Sequence, residues 1–208
     1  PIAEPRLIAH LQAGVDAAQK LVNVEGVNAI VGALSSGVTI PVATSITSRE
    51  GVLQITSAST SPTITTLKDN DFLFRTVPSD AFQGIALAKL VKEKGVKDVS
   101  IIYVNNAYGQ GLADAFAEAY KGMDGKVTES VPFEAGQASY RGELQRLKAG
   151  DAEALVVVAY PENGTVILKQ SLEGGYFDKF IFTDGMKAPE VIEQIGADYM
   201  NGSYGSVP

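Results

Sequence analysis

The sequence contains no cysteine, no tryptophan and a single histidine, His10. Without cysteine, disulfide bonds and thiolate metal sites are excluded. With one histidine, most zinc sites and a Ser-His-Asp hydrolase are disfavoured. No Gly-x-Ser-x-Gly nucleophile elbow occurs either. Since the usual catalytic groups are missing, we expect a protein that is not an enzyme and that uses neither a metal nor a cofactor.

Basic residues are few: 17 Lys and Arg stand against 24 Asp and Glu, for a net charge of −7. Sequence-independent nucleic-acid binding needs a basic surface that neutralises phosphates, so this class of function is disfavoured. Long apolar runs are also missing. The longest, residues 154–160, is far shorter than the ~20 residues of a membrane-spanning helix. We therefore predict no nucleic-acid partner and no direct membrane insertion.

What the sequence does contain is an alternation of apolar, β-rich runs with amphipathic helical stretches. The runs predicted as strands are residues 27–33, 52–55, 72–76, 99–104, 127–133, 154–159 and 180–183. Most are continuous rather than alternating in polarity, which is typical of strands covered on both faces. Strands separated by helices predict an α/β fold with parallel sheets.

Ligands of parallel α/β sheets bind beyond the carboxyl ends of the strands. Residues 35–39 follow one strand and begin a helix, an arrangement that suits a carboxylate or else is an ordinary helix N-cap. Residues 56–62 carry five hydroxyl groups in seven positions. They predict either the floor of a ligand site or a solvated loop.

Later strand ends carry aromatic rings and carboxylates. Tyr108 precedes two glycines at the start of a predicted helix, without the third glycine of a dinucleotide-binding loop. Asp184 follows a strand and either pairs with a ligand ammonium or caps the next helix. Tyr160 with Glu162 adds to the same wall.

These segments, within residues 27–39, 51–62, 74–84, 103–111, 159–162 and 183–185, together resemble the type I periplasmic binding proteins of branched-chain amino-acid (Leu/Ile/Val) ABC transporters. The similarity extends from Ala13 to Pro208. It implies two Rossmann-like lobes with parallel sheets, joined by three crossings, and a ligand held in the cleft between them as in a Venus flytrap.

By this resemblance, residues 1–77 form part of the first lobe, residues 78–204 the second lobe, and residues 205–208 the start of the return crossing. The family's opening strand, its next helix and strand, and the segment after the second crossing have no counterpart here. We therefore expect a fold that is incomplete at both ends, with apolar faces of the first lobe exposed.

The resemblance also implies ligand contacts from the first lobe. Ser36 matches the serine that holds the carboxylate of the amino acid. Ala58 matches the position whose backbone carbonyl meets the ammonium. Thr60 matches the threonine that touches both groups, and Ser59 lies between these two positions.

The second lobe is implied to supply the remaining contacts. Tyr108 matches a tyrosine that closes over the ligand, and Asp184 occupies the place of an acidic ammonium partner, one methylene shorter than the family's glutamate. Ala159 stands where the Leu/Ile/Val binders carry a second aromatic ring, with Tyr160 adjacent. Phe82 is the expected replacement for that apolar wall.

The function implied is that of a periplasmic solute-binding protein. Such a protein captures an amino acid or a related small polar molecule and delivers it to the membrane permease of an ABC transporter. The alternative is a ligand-sensing domain of the same fold, such as an amide or urea sensor or a receptor.

Overall fold

The computed structural model describes residues 11–208, so His10 and the first ten residues of the predicted first lobe lie outside the described part. The chain divides into two compact units. The first contains the described residues up to Asp80 together with Asn106–Tyr108. The second contains Ala81–Asn105 and Gly109–Pro208. This division differs from the expected boundary at residue 77 by the short segment up to Asp80 and by Asn106–Tyr108.

The first unit is a three-stranded parallel sheet with helices. Its elements in chain order are α1 (Leu11–Asn23), β1 (Ala29–Val31), α2 (Ser36–Val42), a π-helical turn (Ala43–Thr47), α3 (Ser48–Glu50), β2 (Leu53–Thr56), a 3₁₀ turn (Pro62–Thr66) and β3 (Leu73–Arg75). The strand order is β1-β2-β3. Both strand pairs are parallel, as the helical crossovers between them require.

The second unit is built on a five-stranded parallel sheet of order β5-β4-β6-β7-β8. Its elements are α4 (Asp80–Glu93), β4 (Asp98–Val104), α5 (Ala107–Lys121), β5 (Lys126–Phe133), α6 (Arg141–Lys148), β6 (Ala154–Val158), α7 (Pro161–Gly174), β7 (Phe180–Phe182), a 3₁₀ turn (Asp184–Met186), α8 (Pro189–Ile195), α9 (Ala197–Met200) and β8 (Tyr204–Gly205). The first residue of α4 and the first two residues of α5 belong to the first unit. The seven strands predicted from apolar runs are all present, and the α/β fold with parallel sheets is confirmed.

The two sheets differ in how far their strands are buried. All residues of β6 are buried, as are all but the first of β4, so the continuous apolar runs there do mark strands covered on both faces. That interpretation is wrong for the first sheet. Val31, Ile55 and Phe74 are register neighbours across its three strands, and Val31 is 84% exposed and Phe74 50%. Among residues 11–208, no element covers this face of the sheet, as expected for the first lobe.

The opposite face of the first sheet packs against helices. Ala18 of α1 joins Val38 and Val42 of α2 in one buried cluster, against which Ile30 of β1 packs. Within this face Gln54 is fully buried, and its side chain accepts a hydrogen bond from Thr47 Oγ1 at 2.7 Å. Its amide nitrogen donates to the carbonyls of Gly32 and Thr39 at 3.1 and 3.3 Å. Hydrogen bonds of Gln54 therefore link β2 to the segments near the hydroxyl-rich strand ends and hold them in place.

Two further properties limit the chemistry of residues 11–208. No helix in this range combines the length and apolar character needed to cross a bilayer. The same residues hold no cluster of three His, Asp or Glu side chains able to bind a metal ion.

Candidate functional site

The hydroxyl-rich loop after β2 folds back onto the loop after β1. Ser59 is fully buried, and its Oγ lies 2.7 Å from Thr39 Oγ1 and donates to the carbonyl of Leu34 at 3.0 Å. Thr56 Oγ1 accepts the backbone N–H of Ser59 at 3.0 Å. The loop is therefore not solvated in its central part. The Ser59 hydroxyl is engaged by the protein, which fixes the shape of the loop.

Ser36 begins α2 and is 1% exposed. Its Oγ accepts the backbone N–H of Ser61 at 3.1 Å, which joins the two hydroxyl-rich strand ends. The N-cap of α2 is Ser35, in an extended conformation, and its hydroxyl forms no cap hydrogen bond. A simple N-cap role therefore does not account for the hydroxyls at this strand end.

Thr60 differs from its neighbours in that its hydroxyl is unused. The residue is 2% exposed, and Thr60 Oγ1 has no hydrogen-bond partner among the described residues. Its backbone carbonyl is held by two donors, the Asp80 N–H at 2.8 Å and Arg75 Nη1 at 3.0 Å. Buried hydroxyls are normally bonded, because burying one unmet costs about 1–3 kcal/mol. A fixed residue with an unmet hydroxyl is a candidate ligand contact.

Arg75, at the end of β3, is a residue that the sequence analysis missed. Its Nη1 donates to the carbonyls of Thr60 and Ser61 at 3.0 and 2.8 Å. Burial lowers the pKa of the Arg75 guanidinium, and the nearby Asp80 carboxylate opposes this shift. One feature of the sequence could have identified it: Arg75 is a lone basic residue at the end of β3, and the segments that follow β1 and β2 are rich in Ser and Thr. Arg75 positions the loop that carries Thr60.

Ala58, the remaining first-unit candidate, is exposed. Its backbone N–H points back to Thr56 Oγ1 at 3.4 Å. Ser36, Ser59 and Thr60 are thus brought together by bonds in the first unit, with Ala58 on the outer side of the same loop.

Tyr108 lies in the first turn of α5 and is 3% exposed. Its N–H is accepted by Asn106 Oδ1 at 3.0 Å, an arrangement that begins the helix. Gly109 follows, and a Cβ atom there would lie 2.0 Å from the carbonyl oxygen of Val104 in β4. Glycine is required at this position because α5 starts so close to β4. This packing accounts for the glycine, and no phosphate-binding role is needed to explain it.

Asp184 begins the 3₁₀ turn after β7 and is half-buried. The N-cap position of this turn is Thr183, so Asp184 is not the cap. Asp184 Oδ1 accepts a hydrogen bond from Gln83 Nε2 at 2.9 Å. Gln83, in α4, is a second residue that the sequence analysis missed, and 101 positions separate it from Asp184.

The two remaining candidates, Tyr160 and Phe82, have different surroundings. Tyr160 is half-buried at the N-cap of α7, where its carbonyl accepts the Gly164 N–H at 2.8 Å. Glu162 beside it is exposed. Phe82 in α4 is 70% exposed.

Taken by chemistry, the first unit offers hydroxyl groups and the second a carboxylate. Hydroxyl donors suit a carboxylate group, and an aspartate suits an ammonium group.

Comparison with known proteins shows the family of this chain. Residues 11–208 match the periplasmic binding protein family. The Leucine-, isoleucine-, valine-, threonine-, and alanine-binding protein of Pseudomonas aeruginosa is 30% identical over 93% of this chain and 51% of its own length. The Leu/Ile/Val-binding protein of Escherichia coli K12 is 33% identical over 83% of this chain and 46% of its length. The chain thus spans about half the length of the curated relatives it matches.

Two solved structures of binding proteins superpose on this chain. The leucine-binding protein LivK of Thermotoga maritima superposes with a TM-score of 0.82 at 27% identity, covering 90% of this chain and 53% of that one. LivJ of Streptococcus pneumoniae, solved with isoleucine, gives 0.78 at 28% identity, covering 95% and 56%. Both superpositions cover at least 90% of this chain and therefore include both parallel sheets described above. This chain belongs to the periplasmic binding protein family.

Proposed function

We propose that this chain is the ligand-binding part of a solute-binding protein that captures an amino acid or a related small polar molecule. The observation that carries the proposal is the buried, unpartnered hydroxyl of Thr60. It is a donor of the kind that a ligand carboxylate accepts, and hydrogen bonds from Arg75 and Asp80 fix the backbone that carries it. Relatives at 30% and 33% identity are named for the amino acids they bind.

The ligand contacts proposed for the first unit are Ser36, Thr60 and the carbonyl of Ala58, with Ser59 shaping the loop. For the ammonium end we propose Asp184. Tyr108, Tyr160 and Phe82 are proposed as aromatic surfaces that exclude water from the two charged contacts.

The partner that we propose is the membrane permease of an ABC transporter, and the location is the periplasm. Two names support the proposal: the family is that of periplasmic binding proteins, and LivJ of Streptococcus pneumoniae is described as a branched-chain amino acid transporter substrate binding protein. In the alternative, a sensor of the same fold, the ligand would be a neutral amide or urea. The charge of the ligand separates the two proposals, because an amide does not need the carboxylate of Asp184.

A calorimetric screen tests the proposal. The protein is titrated with the twenty protein amino acids, acetamide, urea and benzoate, and the samples are then examined for chemical change. We expect saturable binding of at least one amino acid that is recovered intact. Binding of acetamide or urea alone would favour the sensor, and binding of none of the amino acids would contradict the proposal.

A further inference from the structure

Gln83 lies in the first turns of α4 and is 4% exposed. Its Nε2 donates to Asp184 Oδ1 at 2.9 Å and to the carbonyl of Ser206 at 3.1 Å. Both partners are acceptors only, one as a carboxylate and the other as a backbone carbonyl. The orientation of the Gln83 amide follows from this, since the oxygen could not take the place of the nitrogen.

The other end of the same amide is unmet. Gln83 Oε1 is buried and has no hydrogen-bond partner among the described residues. The amide oxygen and nitrogen share one carbon through bonds of about 1.2 and 1.3 Å. Gln83 Oε1 therefore lies within about 5.5 Å of Asp184 Oδ1. An unmet, buried acceptor beside a carboxylate is a site for a group that has several donors.

We propose that Gln83 is a second acceptor for the amino group of the ligand and acts beside Asp184. The proposal rests on the proposed function. An ammonium group carries three N–H donors, and one carboxylate oxygen satisfies one of them well. Gln83 Oε1 accepts a second. Gln83 and Asp184 together then make affinity depend on the number of N–H groups of the ligand as well as on its charge.

Gln83 also holds Asp184 in place, so the test must separate contact from positioning. Gln83→Met removes both the donor and the acceptor. Gln83→Glu removes the donor but keeps an acceptor for the ammonium. If Gln83 only positions Asp184, both variants lose affinity, and Gln83→Glu loses more than Gln83→Met because two carboxylates repel. If Gln83 contacts the ligand, Gln83→Glu keeps affinity within about tenfold of wild type while Gln83→Met loses roughly ten- to a hundredfold.

The matched control is Gln110→Met. The amide of Gln110 donates to Asp114 Oδ2 at 2.8 Å on the exposed surface of α5, so the same kind of bond is removed away from the proposed contact. We expect this variant to bind like wild type. Thermal unfolding and circular dichroism of each variant verify that it is folded. If Gln83→Met does not fold, Gln83→Glu alone still distinguishes retained from lost affinity.

The decisive readout is a donor-count series. The amino acid that binds most tightly in the screen is compared with its N-methyl and N,N-dimethyl derivatives, which keep the charge and carry fewer N–H groups. We expect wild type to prefer the free amine over the dimethyl form at least about tenfold more strongly than Gln83→Met does. Equal discrimination by both proteins would overturn the role of Gln83 while leaving the proposed function intact. Failure of wild type to bind any amino acid would overturn the proposed function itself.

Discussion

Arg75 holds the backbone of Thr60 through a single nitrogen. Nη1 donates to the Thr60 carbonyl at 3.0 Å and to the neighbouring Ser61 carbonyl at 2.8 Å. Arg75 Nη1 carries two N–H donors, one for each carbonyl, and the guanidinium stays charged. The Arg75 guanidinium thus fixes the loop that carries the unbonded Thr60 hydroxyl.

Replacement of Arg75 by Met should loosen this loop. Two buried carbonyls would lose a charged donor, and hydrogen bonds to charged groups contribute about 1.5–3 kcal/mol each. We expect faster hydrogen exchange in residues 57–65 and weaker ligand binding. Arg49→Met, at an exposed position in α3, is the control. Unchanged exchange in residues 57–65 would show that the guanidinium does not hold the loop.

Replacement of Thr60 by Val keeps the shape of the side chain and removes its hydroxyl. We expect the affinity for an amino acid to fall roughly ten- to a hundredfold. The ligand-free protein should be as stable as wild type or slightly more so, because a buried, unmet hydroxyl becomes a methyl group. Calorimetry and urea unfolding measure the two effects. Thr66→Val, on the exposed side of the following turn, is the control. A Thr60→Val variant with wild-type affinity would remove this residue from the site.

Replacement of Asp184 by Asn tests the class of ligand. A ligand ammonium would lose its counter-charge, which typically costs ~3–5 kcal/mol in a desolvated pair. A neutral amide would lose much less, since asparagine still accepts a hydrogen bond. Titration of both proteins with the same ligand measures the difference, and Asp178→Asn, an exposed aspartate, serves as the control. A loss below ~1 kcal/mol would favour an uncharged ligand or place Asp184 outside the site.

The outer and inner faces of β3 should respond differently to mutation. Leu73 is 7% exposed and packs with Ala43 and Ile64, whereas Phe74 points to the open face. We expect Leu73→Ala to lower the free energy of unfolding by about 2–5 kcal/mol. Phe74→Ala should lower it by less than about 1 kcal/mol and reduce self-association in sedimentation experiments. Equal destabilisation by the two variants would mean that the outer face is covered.

Alkaline pH should destabilise the second unit through Tyr120. The pKa of its hydroxyl is raised to about 12, chiefly by burial and then by nearby groups of which Tyr204 is the first. An unfolded tyrosine ionises near about pH 10. Between these two values the unfolded chain binds fewer protons than the folded one, so the free energy of unfolding falls as pH rises. In full, the effect amounts to roughly 2–3 kcal/mol.

Tyr120→Phe measures this contribution. The hydroxyl donates to the carbonyl of Val96 at 2.6 Å, so the variant is less stable at neutral pH. Its free energy of unfolding should nevertheless decline less than that of wild type between about pH 9 and 12. Tyr199→Phe, an exposed position, should match wild type. Identical pH profiles for Tyr120→Phe and wild type would contradict the raised pKa.

The sequence was sufficient to predict the fold, because parallel strands separated by helices depend on local patterns. It also located the hydroxyl groups that the first unit brings together, and their contact with a ligand stays a prediction. Continuous apolar runs predict parallel strands, and strand ends predict where a ligand binds. The partners Arg75 and Gln83 were not predictable in this way. Gln83 meets Asp184 across 101 positions, and the local pattern around either residue does not indicate the other as its partner. The internal role of the Ser59 hydroxyl was hidden for the same reason, since its partner Thr39 lies on another element.

The apolar pattern alone did not predict the open face of the first sheet, which we expected only from the resemblance to the family. Val31 and Phe74 have the same apolar character as the buried residues of β4 and β6, so composition cannot tell a covered face from an open one. Only the presence or absence of a packed element decides it.

The close approach of α5 to β4 at Gly109 has a consequence for mutational scanning. Any side chain at this position would push the first turn of α5 away from the carbonyl of Val104, and Tyr108 would move with it. A library selected for ligand binding would therefore score Gly109 as intolerant, with the profile of a contact residue. Gly109 contributes only by leaving room between α5 and β4. Low tolerance to substitution at Gly109 in such a scan is therefore not evidence of a ligand contact.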